Sequence, residues 1–162
     1  MKRWRSFFLG LMTLSVPYAC LAAGPRMPGQ AGDFGLGAVF GSPTGLTGKY
    51  WLSDARALDG SVAWKFGDED QLELTVDHLW HMKLPTPSFS GKLSYYVGAG
   101  MRVLAGEDAE AGLRIPLGLS CALPSVPLEV FAELAPVVRF APDTGADLDG
   151  GVGIRYYFTT GI

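Results

Sequence analysis

Asp77-His78-Leu79-Trp80-His81 sets two histidines three residues apart beside a carboxylate, and such residues make metal sites and general acid–base pairs. Here the spacing argues against both. The flanking alternation of Leu72, Leu74 and Val76 with Glu73, Thr75 and Asp77 predicts a β-strand, whose successive side chains point to opposite faces. His78 and His81 then face opposite sides. Asp77 and His81 share a face, but the strand rise separates them by about 13 Å, too far to grip one ion. The Gly150-Gly151-Val152-Gly153 run precedes no helix whose N-terminus would hold a phosphate. No catalytic residue, metal site or cofactor follows from these motifs.

A larger constellation is ionic. Period-2 stretches recur at 33–41, 45–53, 57–66, 71–82, 92–103, 111–122, 128–140 and 148–158, separated by Gly, Pro, Asp and Ser. Within them Lys49, Lys65, Lys92, Arg102, Arg114, Arg139 and Arg155 alternate out of phase with the large apolar residues, as do Asp59, Glu73, Asp77, Glu129, Glu133 and Asp149. The other face reads Phe34, Leu36, Leu46, Tyr50, Leu74, Val76, Leu117, Leu134, Ile154, Tyr156 and similar residues. No Asp, Glu, Lys or Arg falls on it. Seven bases and six acids on one face permit mutual pairing, which buried charges require.

The elements that must position these charges are strands, since no stretch beyond the first two dozen residues has an apolar period of 3.6. Eight is an even number and the smallest used by bacterial outer-membrane barrels, and about 9–11 tilted residues cross the hydrocarbon. The sequence therefore predicts an all-β, eight-stranded antiparallel up-and-down transmembrane β-barrel. Its ions point inward into a plugged interior without a pore, because eight strands leave room only for their own side chains. Inward glycines such as Gly35, Gly37, Gly98, Gly118 and Gly153 would make space for long Arg and Lys side chains. Pro116 and Pro136 sit in mid-strand, where the missing N–H breaks the ladder, and bulges are expected there. His78 would face lipid headgroups, and His81 would be hydrogen-bonded near a barrel mouth.

Residues 1–23 read as a signal peptide: Lys2, Arg3 and Arg5, then the apolar Phe7–Val16, then small residues for cleavage after Ala22 or Ala23. Residues 24–162 form the barrel domain. Loss of those three bases leaves ten Lys+Arg against sixteen Asp+Glu, a balance that argues against a nucleic-acid partner. Cys20 leaves with the signal and Cys121 remains alone, so there is no disulfide framework. A lipoprotein signal would carry Leu where Pro17 stands.

Gly41-Ser42-Pro43-Thr44-Gly45-Leu46-Thr47-Gly48-Lys49-Tyr50-Trp51-Leu52, with Leu58-Asp59-Gly60 and Val62-Ala63-Trp64, resembles a small uncharacterised bacterial family named after a BAPKO-type spirochaete protein. The resemblance implies an eight-stranded outer-membrane barrel and lends no activity. The closing Gly153-Ile154-Arg155-Tyr156-Tyr157-Phe158 resembles the C-terminal signal of outer-membrane barrels, which implies the barrel assembly machinery as a partner. Here four residues, Thr159–Ile162, follow the terminal aromatic.

These readings favour a non-enzymatic outer-membrane barrel of structural or surface-related role, in contact with outer-membrane lipid and lipopolysaccharide. Two alternatives stand beside it. Alternation alone also fits a soluble periplasmic barrel with an apolar ligand inside. A lipid-modifying outer-membrane enzyme is the other, although the His-x-Ser-Asn pattern of a lipid A deacylase is absent after His78.

With both termini on the periplasmic side, the outer loops fall near 42–44, 67–70, 104–110 and 141–147. They hold Asp68, Glu69, Asp70, Glu107, Asp108, Glu110, Asp143 and Asp147, and no base. Asp68, Glu69, Asp70, Glu107 and Asp108 are the candidates for divalent-ion contact, as carboxylates that would share Ca²⁺ or Mg²⁺ with lipid phosphates. Replacing these five by Asn or Gln should abolish any Mg²⁺-driven rise in lipopolysaccharide association while leaving folding intact. An unchanged response in a lipopolysaccharide co-sedimentation assay would reduce them to solvated turns.

Overall fold

The computed structural model describes residues 27–65, 71–85, 90–106 and 109–158. Residues 1–26, and with them the signal-peptide reading, lie outside that range.

The described residues form nine strands: β1 (Phe34–Ser42), β2 (Gly45–Ser53), β3 (Arg56–Lys65), β4 (Gln71–Leu84), β5 (Lys92–Ala105), β6 (Glu110–Arg114), β7 (Leu117–Ala122), β8 (Leu128–Ala141) and β9 (Gly145–Phe158). All pairings are antiparallel: each strand from β1 to β5 pairs with the next, β6 and β7 both pair with β5 and with β8, β8 pairs with β9, and β1 pairs with β9 from Phe34↔Phe158 to Ser42↔Gly150. The sheet thereby closes on itself and has no free edge. It is an up-and-down barrel of eight staves, because β6 and β7 are two halves of one, both lying between β5 and β8.

The expected bulges at the prolines are absent. Arg114 faces Gly100 and Leu117 faces Val97, while on the other side Arg114 faces Val137 and Leu117 faces Leu134. The two pairs lie three positions apart on every strand, so nothing is inserted. The inner–outer alternation also runs unbroken from Gly112 to Ala122. Each proline loses only its donor half of a pair. Gly98 N–H still donates to the Pro116 carbonyl (2.8 Å), and Ile115 N–H to the Pro136 carbonyl (3.0 Å). The register shifts instead between Ala111 and Gly112, against Ala141 and Arg139, and between Trp51 and Ser53. Both sites lie towards a rim, where bulges commonly bend barrel strands.

The strands are staggered. From Gly37 the register runs through Thr47, Ser61, Thr75, Arg102, Gly112 and Arg139 to Gly145. Gly37's own partner on β9 is Arg155, ten residues further along that strand. A stagger of this kind requires tilted strands and fixes the bore.

Apolar and polar faces lie as the alternation predicts. Val76 is 64% exposed and its neighbour Thr75 only 4%. Leu46, Leu117, Leu134, Leu148 and Val152 stand on the outer wall, while Lys49, Glu73, Arg102, Glu129 and Arg155 are buried inside. The interior is therefore ionic, not the apolar one that the alternative with an apolar ligand requires.

Inner glycines make the space for that interior, mainly for rings. A Cβ at Gly118 would strike the Tyr96 ring, and one at Gly153 would strike Phe131. Gly118→Ala should therefore lower stability by about 1–3 kcal/mol through overpacking. Gly48→Ala, whose Cβ would meet the flexible end of Leu36 at 3.4 Å, should be tolerated. Urea unfolding of both variants in detergent checks the contrast.

Candidate functional site

The site is the lumen, and its geometry follows from β1. The inward residues of β1 are Gly35, Gly37, Val39 and Gly41, so this stave carries almost no side chain into the bore. Side chains from β2 and β3 on one side can reach those of β8 and β9 on the other. Arg155 lies opposite Gly37 and extends into that gap.

Arg155 is 2% exposed. Its Nη2 lies 2.6 Å from Asp59 Oδ2 on β3, and its Nη1 lies 3.2 Å from Glu129 Oε1 on β8. It also donates to Thr47 Oγ1 at 2.8 Å, and its guanidinium carbon stands 3.8 Å from the centre of the Phe131 ring. Lys49 faces Asp59 across the β2–β3 pair yet sends its Nζ across the lumen to Glu129, at 3.0 Å. Glu129 Oε2 accepts from the Tyr157 hydroxyl at 2.9 Å, which in turn accepts from Trp51 Nε1 at 3.2 Å. One buried carboxylate thus answers two cations and a phenol.

Nearer the loop end, Arg114 donates to Glu133 at 2.5 Å, and its Nε lies 3.3 Å from Asp77 Oδ2. Tyr96 donates to the second Glu133 oxygen at 2.8 Å. Beyond this layer Arg102 binds Asp149 (2.8 Å) and Asp147 (2.6 Å), and Arg139 binds Glu110 (3.0 Å) and Asp147 (3.1 Å).

The structure therefore brings together Lys49, Asp59, Asp77, Arg102, Arg114, Glu129, Glu133, Arg139, Asp149 and Arg155. Glu73 is buried on the same inner face. The Lys65 side chain lies outside the described residues. Lys92 departs from the expectation: its Nζ lies 3.4 Å from the Pro28 carbonyl, so it ties down the chain entering β1. Glu110 and Asp147, read from sequence as loop acids, belong to strands and to the network. Tyr96 and Tyr157 were also missed as network members. The signal was their position in Tyr95-Tyr96 and Tyr156-Tyr157, doublets in which alternation sends one ring inward.

At the end where β1 begins and β9 finishes, residues 27–33 fold over the bore. Asp33 is fully buried and its Oδ2 accepts from the N–H groups of Gly29 (3.0 Å) and Gln30 (2.9 Å). Gly32 N–H donates to the Trp51 carbonyl at 2.8 Å, and Trp51 N–H to the Asp33 carbonyl at 2.9 Å. Gly29 and Gly32 take φ of 104° and 88°, which favours glycine.

The histidines face opposite sides, as their spacing requires. His81 differs from expectation in one respect. It stacks between Trp51 (4.5 Å) and Tyr96 (4.9 Å), and neither ring nitrogen has a hydrogen-bond partner among the described residues. His78 lies against Trp80 at 4.4 Å. Asp68, Glu69, Asp70, Glu107 and Asp108 lie outside the described residues.

No family model matches this sequence, and no curated protein matches it. Among solved structures the chain is similar to the crystal structure of the N-terminal β-barrel domain of Pseudomonas aeruginosa OprF. The TM-score is 0.60 at 14% identity, covering 82% of this chain and all of that one. At that identity the likeness is one of fold.

Arg155→Met should cost about 3–5 kcal/mol, because it strands Asp59 and Glu129 in the interior. Lys92→Met, which removes only a long contact to a carbonyl, should cost less than about 1 kcal/mol. Denaturant titration of the folded barrel measures both.

Proposed function

We propose that this chain is a non-enzymatic outer-membrane β-barrel protein of structural or surface-related role, exported by the signal peptide in residues 1–23. The observation that carries this reading is the inversion of the barrel. Ions and hydroxyls fill the inside, and the outer wall between the rims is apolar, with aromatics such as Tyr50, Trp80, Tyr95, Tyr156 and Phe158 exposed on it. In water such a wall would associate or precipitate. In a bilayer it is the required surface, and a closed barrel satisfies every strand's hydrogen bonds without lipid-exposed polar backbone.

The interior is plugged and no continuous pore runs through it. Lys49, Glu129, Arg155 and Asp59 cross the bore in one layer. Trp51, His81, Tyr96 and Tyr157 fill the next, and residues 27–33 cover the mouth. Supporting partners are outer-membrane lipid, including lipopolysaccharide, and the barrel assembly machinery, which would read the strand ending in Phe158. The resemblance to the BAPKO-type family points to the same location.

Fractionation and gel mobility test the proposal. The protein should appear in outer-membrane fractions, migrate faster unboiled than boiled, and give no steady conductance in planar bilayers. Recovery in the soluble periplasmic fraction without a heat-dependent shift would overturn it.

A further inference from the structure

Between the Lys49–Glu129–Arg155 layer and the loop end lies a cavity of about 40 Å³, room for one small ion with little water. It reaches the exposed Ser42 at the β1–β2 turn. Four carboxylates border it, those of Asp59, Asp77, Glu133 and Asp149, against two guanidinium groups, those of Arg114 and Arg155. Arg155 is committed to Asp59 and Glu129. Arg114 meets three acids, Glu133 at 2.5 Å, Asp77 at 3.3 Å and Asp149 at 3.8 Å. Arg102 shares Asp149 and also binds Asp147, which Arg139 binds together with Glu110. Three guanidinium groups do not neutralise these five acids.

Asp77 shows where the deficit falls. It is 4% exposed and faces the buried Asp59 directly across the β3–β4 pair. Its Oδ1 has no hydrogen-bond partner among the described residues. A buried carboxylate oxygen without a donor costs several kcal/mol. Asp149 Oδ2 likewise accepts no hydrogen bond there. The neutral groups beside them are hydroxyls: Ser61 Oγ and Thr75 Oγ1, 2.7 Å apart, and Thr47. The guanidinium groups aside, the polar lining is oxygen from carboxylates and hydroxyls.

We propose that this cavity is a cation site, entered from the loop end, that takes one hard divalent ion with water. Ca²⁺ fits best, since it accepts irregular sets of oxygen ligands, whereas Mg²⁺ demands near-ideal octahedral geometry. No three carboxylates among the described residues converge into a metal cage, so Asp77 and Asp149 share the ion with hydroxyls and water. Affinity is correspondingly modest, with Kd of about 0.1–1 mM. The site is separate from the loop carboxylates and does not depend on where the barrel resides.

The test uses the full mature chain folded in detergent, with Asp68, Glu69, Asp70, Glu107 and Asp108 neutralised so that only the interior is read. Millimolar CaCl₂ should raise the urea midpoint above that in choline chloride of equal ionic strength, and calorimetry should show one Ca²⁺ per barrel. Asp77→Asn should weaken binding about tenfold or more, because affinity follows ligand charge, while raising stability in the absence of Ca²⁺. Should that variant not fold, Ser61→Ala, which removes a neutral oxygen and no charge, should weaken binding about threefold. A midpoint equal in CaCl₂ and choline chloride overturns the site, as does calcium binding that Asp77→Asn or Ser61→Ala leaves unchanged. Stabilisation by acid alone, without a calcium effect, would mean that protons balance the charge and would equally overturn it. Fractionation and gel mobility report on the membrane reading independently.

Discussion

Arg155 is the charge on which the interior turns. A guanidinium sealed from water is tolerable only when carboxylates and hydroxyls occupy its donors, and here Asp59, Glu129 and Thr47 come from three different strands to do so. Those contacts bind β9 to β2 and β3, which no backbone ladder joins to it, and reinforce its ladder with β8, where Glu129 is the register partner of Arg155. Their directionality also gives the barrel a specificity that its wall lacks, because apolar side chains facing outward would accept many registers. A one-residue slip of β9 would send Arg155 outward and draw Ile154 or Tyr156 inside. The ion network therefore acts as a lock on register.

The lock needs space, and the bareness of β1 provides it. Gly35 and Gly37 leave room over which Tyr157 and Arg155 lie. Similar vacancies at Gly118 and Gly153 are taken by Tyr96 and Phe131. The rings then serve the charges: Tyr96 and Tyr157 donate to Glu133 and Glu129, and Phe131 lies under the Arg155 guanidinium, an arrangement that favours a cation. Small residues, rings and ions thus form one packing solution in this lumen.

How much of this was legible in the sequence divides along a physical line. Facing depends on a period of two, so the outward position of Leu117 and the inward one of Arg114 could be read residue by residue, as could the count of eight staves. Pairing depends on distances across the bore, which alternation does not encode. Hence Lys49 binds Glu129 and not its neighbour Asp59. Glu110 and Asp147 were misread because a strand's end has no local mark when its last inward residue is acidic. Pro116 and Pro136 misled for another reason: a missing donor removes one bond, but closure on both sides holds the register. The fold of residues 27–33 carried no alternation to detect, and its signals, Gly29, Gly32 and Asp33, are ordinary turn residues.

The two mouths are built by opposite chemistry. Where β1 begins and β9 ends, Trp51, His81 and Tyr157 pack beneath a backbone hydrogen-bonded to β2, and Lys92 reaches its Pro28 carbonyl. At the loop end Arg102 and Arg139 bind Asp147, Asp149 and Glu110, and Asp147 and Arg139 remain about a third exposed. Water and salt screen that second network, so changes in ionic strength act on its ion pairs. The cavity lined by Asp77 and Asp149 lies on that responsive side of the Arg155 layer, so ions that weaken the outer pairs have a path to the inner carboxylates.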